Sequence, residues 1–469
     1  MSARATRLVA LGLGAATVVL RLPRALGASF WQDEVASARV IQEPTLGSVL
    51  HQVARTESTP PLWYALAWLT HLAGVSIHDT RLLSVCFDGL IVAGVVLFAA
   101  RMLPSAVAVA AGVVAALGAE LSAHGRELRA YELFALLAVV FAFVLARAAR
   151  SPDARALVCL AGVTAAGLLT HYFFVFTVLA GLLWLITERR ATPRVVAALG
   201  AGVAVCAPWT PFFLRQLHAD RYSWIGSFSA AEVLQTPGRL IAVPLGTPIT
   251  LVWLMLAAVL AWRAGPTARL LVWLALAPVL LAGAVWAGGM RVYAVRNLIA
   301  AAPFVSVLAV APLAALSLRV RVAAAVLLSG ALATSYAINQ LQPDVPYKRI
   351  AQALVDDGWH GADPIAVVGG LHALRSPLEW YLPDTPRFVP SLRRPRRPEL
   401  VYVVLGEHSD DRSVAHDAIR VGRFLVGLLP AGDVQERGRG RLTLFAPARQ
   451  REIRVPGTEV PGTRSRPPS

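Results

Sequence analysis

The sequence predicts an α-helical polytopic membrane protein of about eleven spans plus juxtamembrane helices, followed by a small extracytoplasmic α/β domain. Three observations carry this. Of 469 residues, 56% are hydrophobic and only 15% charged, with a mean hydropathy of +0.59, whereas a soluble chain of this length needs far more polar surface. The apolar residues fall in long charge-poor blocks, with 31 prolines and 35 glycines mostly at or between them. The composition changes near Gln342-Pro343 to alternating helix-like and strand-like pieces.

The net charge of +16, from 44 basic against 28 acidic residues, has its reason in orientation, because basic residues hold cytoplasmic loops in place. No nucleic-acid partner is implied. Lys348 is the sole lysine, so nearly every cation is an arginine. Cys86, Cys159 and Cys206 lie inside apolar segments and read as small buried hydrophobes, not as disulfides or a thiolate metal site.

Arg4 and Arg7 precede the apolar run Leu8 to Leu20. This reads more naturally as an anchor entering from the cytoplasm than as a cleaved signal peptide, although Ala25-Leu26-Gly27 offers a small-residue cleavage pattern. Ten further spans follow: Leu82 to Ala100, Pro104 to Ala119, Ala130 to Ala146, Ala156 to Leu169, Tyr172 to Ile186, Val195 to Leu214, Leu240 to Trp262, Leu270 to Gly288, Asn297 to Ser317 and Val322 to Ile338. Pro60 to Ile77 is a further apolar stretch that decides which side everything else faces. If it does not cross, the loops with Arg101, Arg147, Arg150, Arg155, Arg189, Arg190, Arg194, Arg263, Arg269, Arg319 and Arg321 all fall in the cytoplasm. Acidic residues then collect outside. Pro60 to Ile77 is therefore read as a juxtamembrane or re-entrant helix, the alternative being a twelfth span.

Residues 1–341 form the membrane domain, and 342–450 an extracytoplasmic α/β domain, since eleven crossings from a cytoplasmic N-terminus end outside. Its expected pieces are helices at Pro346 to Trp359, Leu374 to Leu382 and Val414 to Leu429, with strands at Ile365 to Val368, Leu400 to Leu405 and Leu442 to Phe445. The stretch 451–469, rich in Pro, Gly and Arg, reads as a disordered tail.

Chemistry-bearing residues gather in the outer loops. The first holds Trp31-Gln32-Asp33-Glu34, two carboxylates just outside a membrane helix, placed either for work at the interface or as the acidic start of a solvated helix. The second reads His124-Gly125-Arg126-Glu127-Leu128-Arg129-Ala130-Tyr131. If the next helix starts there, Arg126 and Arg129 are one turn apart and can converge on a phosphate; snorkelling to the interface is the other reading. His171, in Thr170-His171-Tyr172, is more often a hydrogen-bonded structural residue than a base or ligand. Arg291 and Arg296 offer two further phosphate-binding guanidiniums, with the same snorkelling alternative.

Taken in order, these pieces resemble a known family. Trp31-Gln32-Asp33-Glu34, Pro60-Pro61-Leu62-Trp63-Tyr64, Arg81-Leu82-Leu83-Ser84, Arg126 to Tyr131, Thr170-His171-Tyr172 and Arg296-Asn297-Leu298-Ile299 with Pro303 look like the bacterial protein-mannosyltransferase or aminoarabinose-transferase type, family-39-like glycosyltransferases of the GT-C fold. The resemblance covers about Arg7 to Ser317. One departure is Asn297, where the family often has Tyr after the late arginine, which loosens the role given to Arg296.

The resemblance implies a sugar donor on a polyprenyl phosphate in the bilayer's outer leaflet and transfer, with inversion, to an acceptor hydroxyl on a protein, glycan or lipid. Asp33 would be the general base and Glu34 would orient the acceptor or the base. Arg126, Arg129 and Arg296 would bind the lipid phosphate, with Glu127, Tyr131, His171 and Arg291 lining the substrate site. No cofactor is required. A divalent metal near Asp33, Glu34 and His171 is compatible with the sequence, but no ligand spacing demands one. The competing reading is a transporter or flippase of lipid-linked sugars, against which stands the scarcity of charge within the spans. A third, a non-catalytic scaffold or sensor, leaves Asp33 and the arginine pairs without a task.

Overall fold

The computed structural model describes residues 2–219, 225, 229–241, 247–341, 347–356, 359–361, 364–368, 371–389, 401–405, 442–446 and 449–453. The chain divides into two compact units, Met1–Gly27 with Ser37–Gln342, and Ala28–Ala36 with Pro343–Ser469.

The first unit is helical. Among the described residues, seven helices are long and apolar enough to cross a membrane: Ala3–Gly27, Asp79–Ala99, Tyr131–Ala148, Pro193–His218, Pro266–Ala287, Val295–Ala315 and Leu318–Ile338. Four shorter apolar helices, Ser105–Leu117, Ala154–Thr170, Phe174–Thr187 and Pro248–Arg263, stand where the other four crossings were expected. The protein is therefore a multi-pass membrane protein.

Pro60 to Ile77 yields only the helix Leu62–Leu72. Eleven residues at about 1.5 Å each reach roughly half of the ~30 Å hydrocarbon core. Pro208 and Pro211 turn the Pro193–His218 span through a 3-10 segment at Ala207–Trp209, as proline's missing N–H requires. The expected span Leu240 to Trp262 divides differently. Leu240 belongs to Ala230–Ile241, and the next helix begins at Thr247.

Packing follows from small residues. On Ala3–Gly27 the buried positions are Thr6, Ala10, Gly14, Thr17, Arg21 and Ala25, one stripe at helical spacing. Gly14 and Gly89 let this helix lie against Leu82–Ala99; a Cβ on Gly14 would fall 2.5 Å from the Gly89 carbonyl oxygen. Elsewhere the core closes through edge-on aromatic pairs, Phe98 with Phe304 at 5.8 Å and Phe141 with Phe174 at 5.7 Å. Cys86 and Cys159 are exposed, not buried as expected. Among apolar helices in lipid, hydrophobicity does not tell the inward face from the outward one.

One charged pair lies inside this packing. Arg21 Nε meets Asp88 Oδ2 at 2.8 Å with side chains 1% and 0% exposed, and Arg21 Nη2 donates to the Ala116 carbonyl. Its guanidinium also lies over the Tyr336 ring, 5.3 Å from the centroid.

The second unit holds a five-stranded mixed sheet: β1 (Pro364–Val368), β2 (Arg387–Val389), β3 (Val401–Leu405), β4 (Leu442–Ala446) and β5 (Arg449–Ile453), in the order β2-β1-β3-β4-β5. β1 pairs in parallel with β2 and β3, and the β1–β2 crossover contains the helix Leu371–Tyr381. β4 pairs antiparallel with β3 and β5. β2 and β5 were not foreseen: β2 is only three residues long, and β5 reads as tail by composition, yet pairs Arg451 with Leu444. The tail expected from 451 thus begins inside a strand. The helix expected at Val414 to Leu429 lies outside the described residues.

Truncating one partner of a buried pair leaves a charge stranded, so Asp88→Ala should cost about 3–5 kcal/mol. Arg21→Met with Asp88→Leu should recover most of that loss. Thermal unfolding of the three proteins in detergent checks this; equal losses in single and double variants would contradict it.

Candidate functional site

The site is built on the turn between the helices Ala119–His124 and Tyr131–Ala148. Arg126 and Arg129 lie in this turn, not on the first turn of a helix as the sequence suggested, because the helix starts only at Tyr131. Ser84 shapes the turn from below, its hydroxyl donating to the Glu127 carbonyl at 2.7 Å and the Arg129 carbonyl at 3.4 Å.

Arg129 is held from outside. Its Nη1 donates to Ser37 Oγ at 3.0 Å and to Glu57 Oε2 at 3.3 Å, with Glu57 4% exposed. Glu57 also accepts the Tyr64 hydroxyl at 2.7 Å, and Tyr64 meets the Thr59 hydroxyl at 3.0 Å. Burial and the adjacent Glu57 carboxylate push the Tyr64 phenol well up, so it stays a donor. The Pro60 to Tyr64 motif thus buttresses an arginine. Arg129 lies 5.9 Å from the Tyr131 ring centroid, a cation over an aromatic face.

Glu127 pairs with His124. His124 Nδ1 lies 2.8 Å from Glu127 Oε2, and its Nε2 3.3 Å from Glu120 Oε2. Burial alone would lower the His124 pKa, but Glu127 and Glu120 outweigh it and raise it well above 6.5. Burial pulls Glu127 the other way, yet His124, then Arg129 and Arg126, hold it below the usual carboxylate range.

His171 is buried and stacked on Phe134, centroids 4.5 Å apart and planes 5° apart. Burial first, then the charges of Arg129 and Arg296, push its pKa down to about 3. Its Nδ1 accepts the Phe173 N–H at 3.3 Å. His171 is therefore a neutral imidazole, and two arginines far apart in sequence bear on it. Arg296 is half-buried in the turn Val295–Ala301, whereas Arg291 is exposed.

Asp33 and Glu34 open the helix Gln32–Ile41 and belong to the second unit's short segment, which ends at Ala36. Glu34 is 1% exposed and its Oε2 accepts the Trp31 N–H at 3.2 Å, closing the first turn from within. Asp33 is half-buried. Among the described residues no group of three or more His, Cys, Asp or Glu side chains is arranged to hold a metal ion.

Sequence reasoning passed over Arg21, Asp88, Glu132, Glu57 and Glu120. Glu132 is fully buried, with no protein hydrogen-bond partner for either carboxylate oxygen. The signal was present as ionisable residues inside apolar runs, each a candidate for a specific partner. The partners were not readable, because Arg21 and Asp88 are 67 residues apart.

A family model described as dolichyl-phosphate-mannose-protein mannosyltransferase matches residues 58–213, the stretch that carries Glu57's neighbours, the Arg126 to Tyr131 turn and His171. No curated protein matches the sequence. Among solved structures, ArnT from Cupriavidus metallidurans in the apo state is similar over 92% of this chain and 97% of its own, at TM-score 0.56 and 12% identity. The same protein bound to undecaprenyl phosphate is similar over 95% and 99%, at TM-score 0.52 and 12% identity. The fold is thus the GT-C fold.

The His124–Glu127 pair sets a pH dependence. With the folded-state pKa of His124 raised, its contribution is complete below about pH 6.5 and is lost as pH rises through the folded value. Glu127, depressed, contributes above about pH 4.5 and loses this as pH falls. The melting temperature in detergent should therefore decline on the alkaline side in wild type, and His124→Gln should be less stable at neutral pH with a flatter alkaline limb.

Proposed function

We propose that the protein is a membrane glycosyltransferase that moves a sugar from a polyprenyl-phosphate donor to an acceptor hydroxyl at the extracytoplasmic face. The observation that carries this reading is the pair Arg129 and Arg296, whose charges both bear on the buried neutral His171 within a GT-C fold. Two guanidiniums from separate parts of the chain whose charges bear on one buried histidine suit a phosphate, and His171 adds no competing charge. ArnT has been crystallised with undecaprenyl phosphate, which supports the donor class.

In this reading Asp33 takes the proton from the acceptor hydroxyl as its oxygen attacks the anomeric carbon. The bond from that carbon to the phosphate oxygen breaks, and the polyprenyl phosphate leaves with the electron pair. Arg126, Arg129 and Arg296 stabilise the charge that grows on it, and Arg291 meets the headgroup at the rim. One displacement inverts the anomeric centre. Glu34 positions the base by holding the helix start. Ser37, one turn along the same helix from Asp33, takes a hydrogen bond from Arg129. Nothing is oxidised, so no redox cofactor is called for, and the arginines supply the charge a divalent metal would otherwise bring.

All eleven apolar helices cross in this reading, with the N-terminus in the cytoplasm and the C-terminal unit an α/β domain outside. The arginine-rich loops then face the cytoplasm.

Membranes containing the protein, incubated with labelled polyprenyl-phosphate sugars, should yield a labelled product of inverted anomeric configuration. Asp33→Asn should abolish transfer while leaving expression and binding of undecaprenyl phosphate intact. Arg296→Ala should lower turnover about 10²-fold or more, as expected for loss of a group that stabilises transition-state charge. Wild-type turnover by Asp33→Asn would refute the general-base role.

A further inference from the structure

The segment that carries Asp33 and Glu34 clusters in space with the C-terminal unit, more than 300 residues further along the chain. Contacts among the described residues hold it there. The Phe30 N–H donates to the Tyr381 hydroxyl at 2.7 Å. The Phe30 ring meets Trp380 edge-on, centroids 5.9 Å apart and planes at 61°. The Lys348 N–H donates to Ser29 Oγ at 3.1 Å. Trp380 and Tyr381 end the helix Leu371–Tyr381, in whose last turn Leu378 is fully buried.

Phe30 itself is 1% exposed. Its N–H precedes the helix Gln32–Ile41 and has no partner within that helix's own hydrogen-bond ladder, so the Tyr381 hydroxyl supplies the acceptor that a buried amide needs. Between Phe30 and Asp33 stand only Trp31 and Gln32, with no glycine to absorb movement, and Glu34 locks the turn by accepting the Trp31 N–H. A general base must come within about 2.6–3.2 Å of the proton's donor atom, and a misplacement of about 1 Å can cost about 10²-fold. Whatever holds Phe30 therefore holds Asp33.

We propose that Trp380 and Tyr381 of the C-terminal unit are positioning residues for Asp33, clamping Phe30 so that the Asp33 carboxylate meets the acceptor hydroxyl. This rests on the reading of Asp33 as general base. Neither residue touches the reacting atoms. Changes on the Leu371–Tyr381 helix then reach Asp33 through three residues of backbone.

The test uses the full-length protein in proteoliposomes with labelled undecaprenyl-phosphate hexoses. Trp380→Ala with Tyr381→Phe should lower kcat about tenfold or more while the donor KM stays within about twofold, because only the base is displaced. Trp380→Phe, which keeps an aromatic edge, should retain most of the activity. A spin label at the exposed Gln32, with Cys86, Cys159 and Cys206 replaced by Ala, reads the anchoring without turnover. It should be immobile in wild type and Trp380→Phe and gain motion in the double variant.

An unchanged spectrum in the double variant overturns the clamp whatever Asp33 does. An unchanged kcat in the double variant, with Asp33→Asn inactive, overturns the positioning role alone. Wild-type transfer by Asp33→Asn removes the general-base reading and the positioning role with it, and the label then still shows whether the clamp exists.

Discussion

A charge inside a membrane protein has to find its partner within the protein, and the Arg21–Asp88 pair meets that constraint for the helical unit. Each member alone would cost several kcal/mol to keep away from water. Together, at 2.8 Å and almost without exposure, they tie Ala3–Gly27 to Leu82–Ala99, and through the Ala116 carbonyl and the Tyr336 ring they reach two more helices. The small-residue stripe that ends in Arg21 and Ala25 makes the approach close enough for the pair to form. The Asp88 carboxylate also lies against the turn at 125–129: a Cβ on Gly125 would fall 2.7 Å from Asp88 Oδ2. The turn that bears Arg126 and Arg129 is thus seated on the pair.

Above it, the polar groups form a chain of mutual support. Thr59 and Tyr64 hold Glu57, Glu57 and Ser37 hold Arg129, and Ser84 holds the backbone of the turn. His124 and Glu127 pair beside it. Two of the motifs that mark the resemblance in sequence, Pro60 to Tyr64 and Arg81 to Ser84, thereby acquire a physical reason. They keep an arginine pointed and partly desolvated, the condition under which it acts strongly on a phosphate.

The membrane class and most helix positions were legible because hydropathy is a property of short stretches of chain. Helix faces were less so. Cys86 and Cys159 are exposed because lipid and core are both apolar, so burial cannot be read from hydrophobicity there. That Arg126 to Arg129 form a turn and not the helix start the sequence left open was not legible, since Ser84, over 40 residues earlier, bonds its carbonyls into place.

By itself the sequence determined that the chain is a multi-pass membrane protein, with its candidate base and arginines between apolar segments, because composition and charge act locally. Only the tertiary structure decided which of those residues meet. It put Arg129 and Arg296 where the charge of each bears on His171, paired Arg21 with Asp88, and brought residues 28–36 to the last turn of Leu371–Tyr381. These are contacts between residues tens to hundreds of positions apart. They arise from helix packing and from the need of each buried donor, acceptor and charge for a partner, a requirement that the sequence states but does not assign.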